Sequence, residues 1–173
     1  ADYRGYGRSD GKPSFSSMLA DAHPIFELFR HAIREKGHTG PIVVMGRSLG
    51  VHSTVELALN YTKEISGIIV ESGAARMARL LSLFGPSLAP DKVKRLEAAI
   101  LSRVRTVAMP VLIIHGERDS LIPAAEAVWL HETLGSRLKR LVFIPDADHN
   151  DIMFVGGQQY FSAIKDFLLS VAR

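Results

Sequence analysis

The stretch "VVMGRSLGVHS" (Val43–Ser53) joins two different patterns. The run that leads into it, "PIVVM" (Pro41–Met45), is β-branched and bounded by breakers, and reads as a short strand buried on both faces. From Leu49 to Asn60 the pattern turns helical, with Val51, Val55, Leu57, Ala58 and Leu59 as buried positions. Between the two, Gly46-Arg47-Ser48-Leu49-Gly50 fits G-x-S-x-G, the spacing of a nucleophile elbow. A serine on a sharp strand-to-helix turn is held in a strained backbone conformation with its hydroxyl pointing out. The new helix aims its N-terminus at developing negative charge. Glycines two before and two after the serine leave room for strand and helix to pack closely. The bare pattern also arises by chance, because Gly and Ser are common residues. In that case Ser48 is only a small residue in a tight turn.

Working outward, short apolar runs alternate with amphipathic stretches. "GIIV" (Gly67–Val70), "MPVLIIHG" (Met109–Gly116) and "KRLVFIP" (Lys139–Pro145) read as further buried strands. Helices are predicted over Pro123–Leu134 and Gly157–Ala172. Near the start, Ser16 or Ser17 is expected to cap a helix reaching about Lys36, with Leu19, Ala22, Ile25, Phe26, Phe29 and Ile33 on one face. Pro24 should kink or split that helix. This alternation predicts the α/β class, a mostly parallel sheet with helices on both faces, as one domain over residues 1–173. Ser72 to Met109 breaks the rhythm with two helical stretches, around "ARMARLLSLFG" and "PDKVKRLEAAILSRV". An insertion of that length at a strand end is a natural helical cap over a site formed there, here residues 72–109. The opening "ADYRGYGRSDG" has no initiator Met and reads as the tail of a strand running into a Gly-rich loop. The expectation is that the N-terminal part of a longer protein is missing.

Composition sets the outer bounds. With 173 residues, 47% hydrophobic and 23% charged, the chain suits one globular domain with a sizeable core. A net charge of +3 over this length does not imply a nucleic-acid partner. The absence of cysteine excludes disulfides, a thiol nucleophile and Cys-based metal sites. No apolar run approaches the roughly 20 residues of a membrane span, and the polar opening carries no signal-peptide pattern. A cytoplasmic location is the expectation.

An acid and a histidine follow Ser48 in the order the elbow requires. "LIIHGERDSLIP" puts Asp119 in the loop after a buried strand, although an aspartate there also suits a turn or a helix cap. "FIPDADHND" puts His149 in the loop after the last strand, where an exposed loop histidine is the plain alternative. All three candidates lie past the carboxyl ends of strands in one parallel sheet, so they can meet at one edge. The chain order Ser, Asp, His is that of this architecture. Of the other histidines, His23, His31, His52 and His131 fall within helices, His38 precedes a strand, and His115 reads as a structural neighbour of Asp119. A metal reading of His115, Asp119 and His149 lacks the short paired spacing of zinc motifs. Glu71, at the end of the second strand, competes with Asp119 for the acid role. Asp146, Asp148 and Asp151 read as residues that shape the loop around His149.

The segments "DYRGYGRSDGKPS", "GRSLG", "HGERDSLIP" and "PDADHND" together resemble the successive landmarks of the α/β-hydrolase superfamily. The likeness is greatest to serine hydrolases with a short cap, both bacterial esterase-like proteins and eukaryotic abhydrolase-domain lipid hydrolases. It spans nearly the whole chain. It implies Ser48 as nucleophile, Asp119 as orienting acid, His149 as general base and the Leu49 backbone N–H as one oxyanion-hole donor. A serine at the elbow argues against the dehalogenase and epoxide-hydrolase branches. In this family the "DYRGYG" segment follows the fourth strand, and the loop giving the second oxyanion donor lies upstream. The resemblance therefore also implies a gap or an exposed edge beside "PIVVM".

The expected reaction is hydrolysis of a carboxylic ester or thioester of an acyl or lipid substrate through an acyl-enzyme, with no cofactor. Two other readings stay open: a non-catalytic binding module on the same fold, and acyl transfer by the same triad. Arg47, Leu83 and Phe84 are the candidate substrate contacts, although Arg47 could equally pair with a lid carboxylate. Leu80, Leu81 and Leu88 could line an acyl pocket or pack on the sheet. An excess of Arg and Lys over Asp91 and Glu97 in the cap is either a solvated face or a surface for anionic substrate or lipid, hence for peripheral membrane contact.

Overall fold

A computed structural model describes residues 2–73, 76 and 89–172 of the chain. Two compact units are distinguished, Ala1–Pro41 and Ile42–Arg173.

In the first unit, residues 2–13 form turns and not the tail of a strand. The backbone there bonds to itself, with Gly5 N–H donating to Asp10 O and Tyr6 N–H to Tyr3 O, and Gly5 and Gly7 have positive φ. Helix α1 follows over Phe15–Glu35. Its cap is Ser14, earlier than either serine expected from the sequence. Ser14 has the extended backbone a cap needs, and its hydroxyl accepts from Ser17 N–H at 3.0 Å. Ser17 Oγ accepts in return from Ser14 N–H at 3.0 Å, closing a capping box. The helix continues unbroken through Pro24, forgoing one backbone bond. Its buried stripe is Met18, Ala22 and Phe26 at four-residue spacing, while Phe29, expected on that face, is exposed.

The second unit alternates strand and helix: β1 Ile42–Arg47, α2 Gly50–Asn60, β2 Ile65–Glu71, α3 Pro90–Thr106, β3 Val111–Gly116, α4 Ala124–Thr133, β4 Lys139–Ile144 and α5 Ile152–Val171. The four strands pair in chain order and all are parallel. Successive residues of a strand face opposite sides. Ile69, Leu112, Ile114, Val142 and Ile144 pack with Ile152, Tyr160, Ala163 and Phe167 of α5. Ile68, Val70, Val111 and Ile113 alternate with them and are equally buried. Among the helices, α2 packs on β1 and β2, and α4 on β3 and β4.

β1 departs from its reading as a strand buried on both faces. It pairs only with β2 among the described residues, and Met45 is 43% exposed. An edge position leaves a strand half covered, whatever its apolar content. The final helix begins at Ile152, before the expected Gly157. Gly157 has φ 41° and ψ −120°, so it marks a kink between two helical segments. Of the two helical stretches foreseen in the cap, α3 is the second; the first, with Leu80, Leu81, Leu83, Phe84 and Leu88, lies outside the described residues. Among the described residues of the segment expected to form a cap, Arg103 pairs with Glu56 on α2 and Arg76 with Glu126 on α4, where Arg76 also lies over the Trp129 ring at 5.6 Å.

Candidate active site

Register brings the strand ends together. Arg47 lies opposite Glu71, Glu71 opposite Ile114, and Gly116 opposite Ile144, so the following loops leave from one edge of the sheet. Ser48 follows β1 with φ 52°, a left-handed conformation rare for a residue with a side chain. Its N–H donates to Glu71 O at 2.9 Å, which anchors the turn on the neighbouring strand. The turn closes tightly on Gly46, where a Cβ would stand 2.2 Å from Thr54 Oγ1 and 2.6 Å from Gly50 O. The second motif glycine behaves differently, since a Cβ on Gly50 would meet nothing within 4 Å. Leu49 is the N-cap of α2 and no side chain caps that helix start. The Val51 and His52 N–H groups turn back to Ser48 O and Leu49 O.

His149 Nε2 lies 3.1 Å from Ser48 Oγ, and its Nδ1 lies 2.8 Å from Asp119 Oδ2. Both His149 and Asp119 are buried. The other Asp119 oxygen accepts from Ile122 N–H at 2.6 Å and Leu121 N–H at 3.1 Å, so the carboxylate is aimed by the backbone of its own loop. With Asp119 accepting at Nδ1–H, His149 presents Nε2 to the serine hydroxyl as an acceptor. That is the arrangement needed to take a proton from Ser48.

The two loops that carry Asp119 and His149 are laced together. Glu117 N–H donates to Ile144 O, and Arg118 N–H to Ala147 O, both at 3.0 Å. A Cβ on Gly116 would sit 2.4 Å from Ala147 O, so this approach requires glycine. Asp148 accepts from Ser120 N–H and His149 N–H, each at 2.7 Å, and from the Ser120 hydroxyl. Those bonds, the one from Ser120 N–H foremost, hold its carboxyl below the usual carboxylate range. Asp151 caps Asp148 N–H at 2.7 Å, and Asp146 pairs with Arg118. His115 lies beneath the site with no exposure, its Nε2 2.8 Å from Ile122 O and 3.4 Å from Asp119 Oδ2. Burial pushes its imidazole down, so His115 is neutral and donates to Ile122 O.

The rival acid has other partners. One oxygen of buried Glu71 lies 3.0 Å from Arg47 Nε, and the other accepts from the Tyr160 hydroxyl. Burial, then the neighbouring carboxylate, raise Tyr160 far above an ordinary phenol. Arg47, foreseen as a contact to substrate or to a lid carboxylate, donates from Nη2 to His149 O at 2.6 Å and Asn150 Oδ1 at 2.9 Å. Tyr160 and Asn150 carry no signal in the sequence. Tyr160 reads as one more apolar position of the last helix, and its partner lies 89 residues away. Leu83 and Phe84 fall outside the described residues.

A serine at a strand-to-helix turn, followed in chain order by an aspartate and a histidine at the carboxyl edge of the same parallel sheet, is the arrangement of the α/β-hydrolase fold. Residues 1–106 match the family model described as serine aminopeptidase, S33, and the chain belongs to the α/β-hydrolase superfamily. It is similar to protein bem46 of Schizosaccharomyces pombe, 32% identical over 171 residues that cover 96% of this chain and 55% of that protein. It is also similar to α/β hydrolase domain-containing protein 17C of Xenopus tropicalis, 33% identical over 172 residues, 96% of this chain and 50% of the other. The fold matches an esterase of Pyrococcus furiosus with a TM-score of 0.77 at 22% identity, covering 98% of this chain and 68% of that one. The chain spans about half the length of the curated relatives it matches.

Proposed function

We propose that this chain carries the catalytic triad of a serine hydrolase that cleaves carboxylic ester or thioester bonds of acyl substrates. The observation that carries the reading is the continuous relay from Asp119 Oδ2 through the His149 ring to Ser48 Oγ. In this reading His149 takes the Ser48 proton as the hydroxyl attacks the acyl carbonyl. The Leu49 N–H, at the uncapped start of α2, faces the developing oxyanion. His149 then returns the proton to the leaving alcohol or thiol. Water, activated by the same histidine, releases the acid from Ser48. Asp119 holds the tautomer and offsets the imidazolium charge.

The test is covalent labelling of the full-length protein with a fluorophosphonate probe. Ser48 is expected to be the labelled residue in peptide mapping, and Ser48→Ala to abolish labelling. Equal labelling of both proteins overturns the nucleophile assignment. Parallel turnover of p-nitrophenyl esters, acyl thioesters and aminoacyl anilides separates ester and thioester cleavage from the peptidase chemistry named in the family description. Competition by an acceptor alcohol separates hydrolysis from acyl transfer.

A further inference from the structure

We propose that Arg47 is a positioning residue for His149, held to that task by Glu71 and Tyr160; the inference rests on the serine-hydrolase reading above. Arg47 is the last residue of β1 and immediately precedes Ser48. Its guanidinium runs along the carboxyl edge of the sheet, with Nε on Glu71 at the end of β2 and Nη2 on His149 O in the loop after β4. One rigid planar group thus links the residue beside the nucleophile to the backbone of the base. The link goes to the His149 carbonyl and not to its ring, so it persists whichever protonation state the ring adopts. The Ser48–His149 contact of 3.1 Å is long for a hydroxyl bond and cannot by itself hold the two loops in register. Glu71 is in turn fixed on its second oxygen by Tyr160 from α5, which leaves the carboxylate one orientation in which to receive Arg47.

The charges matter as well as the geometry. Among the described residues, the charged and titratable groups facing His149 are Asp119 and His115 from the β3 side, Asp148 on its own loop, and Arg47 with Glu71 from β1 and β2. A lone guanidinium here would oppose the imidazolium that forms as Ser48 gives up its proton. Glu71 cancels that opposition, so the clamp adds rigidity without penalising the base. A lysine would supply the charge but not the forked reach to Glu71 and His149 together.

The experiment measures the rate of fluorophosphonate labelling against pH for the full-length wild type, R47A, R47K and E71Q, with kcat and KM for p-nitrophenyl butyrate. R47A is expected to label about 10- to 100-fold more slowly and to lose kcat at an unchanged KM, the effect of a misplaced base. R47K is expected to recover only part of that loss. The acid limb of the pH profile should move to higher pH in R47A and to lower pH in E71Q, which preserves the shape of the side chain. Opposite displacements do not arise from simple loosening. Wild-type rates in R47A with an unmoved acid limb overturn the inference, as does a raised KM at constant kcat, which would make Arg47 a substrate contact. If R47A does not fold, E71Q decides alone, and an unmoved limb there overturns the proposal. An unlabelled wild type removes the serine-hydrolase reading and this inference with it; labelled wild type with indifferent variants removes only the inference.

Discussion

The two glycines of the elbow are equivalent in the sequence motif and opposite in the structure, which makes Gly46→Ala against Gly50→Ala a searching comparison. A methyl on Gly46 would lie 2.2 Å from Thr54 Oγ1 and 2.6 Å from Gly50 O, each about 1 Å inside van der Waals contact. Thr54 can rotate away only by giving up its hydroxyl bond to Gly50 O at 3.2 Å, and the carbonyl itself belongs to the first turn of α2. β1 and α2 must therefore separate, and Ser48 sits on the link between them. Overpacking of this kind costs about 1–3 kcal/mol, which for a domain of this size lowers Tm by roughly 2–4 °C per kcal/mol. If Ser48 is the nucleophile as proposed, a displacement near 1 Å there costs on the order of 10²-fold in rate. Gly50→Ala meets open space at a helix start, and removing the conformational freedom of glycine stabilises by up to about 1 kcal/mol. Thermal melting and the fluorophosphonate labelling rate of the two variants measure both effects. If Gly46→Ala melts and labels like the wild type, or if Gly50→Ala loses as much stability as Gly46→Ala, the packing argument for the elbow is wrong.

Two further outcomes rest on the acid side of the site. Asp119→Asn keeps the shape of the side chain but no longer accepts cleanly from His149 Nδ1–H, so the tautomer at Nε2 is lost. Ester turnover should fall by about 10⁴-fold while the melting temperature changes little, and a fall below tenfold would remove Asp119 from the relay. Burial, first of all, pushes the His115 imidazole below the ordinary histidine range, so the unfolded chain binds a proton there that the folded chain refuses. Stability contributed by this group is complete above about pH 6.5 and declines as pH drops below it, by at most about 1.4 kcal/mol per pH unit. Urea midpoints between pH 7 and 5 should show that decline, and His115→Gln should flatten it; an identical slope in the variant would refute the assignment.

The landmarks that local patterning can mark were legible early. Each of Ser48, Asp119 and His149 stands just past an apolar run closed by Gly or Pro, and strand ends of a parallel sheet share one edge. Boundaries were less legible. Ser14, Ser16 and Ser17 all offer a hydroxyl near the start of α1, and only the extended backbone of Ser14 selects the cap. Gly157 reads as a helix start because glycine breaks periodicity, whereas it marks a kink within a helical stretch that already begins at Ile152.

By itself, then, the sequence determined the strand–helix alternation, the elbow and the order of its three candidate residues, because these depend on period and on residues close along the chain. Only the tertiary structure decided that Met45 of β1 is half exposed, that Glu71 serves Arg47 and Tyr160 and not His149, and that Gly46 is confined where Gly50 is free. The first two depend on strand order and register, which bring together residues far apart along the chain, and the third on the turn of the elbow itself, which sets Gly46 against Thr54 and Gly50. The same holds for Arg47. Its place in G-x-S-x-G is open to any residue, and its contact with His149 is made only when β1, β2 and the loop after β4 reach the same edge of the sheet.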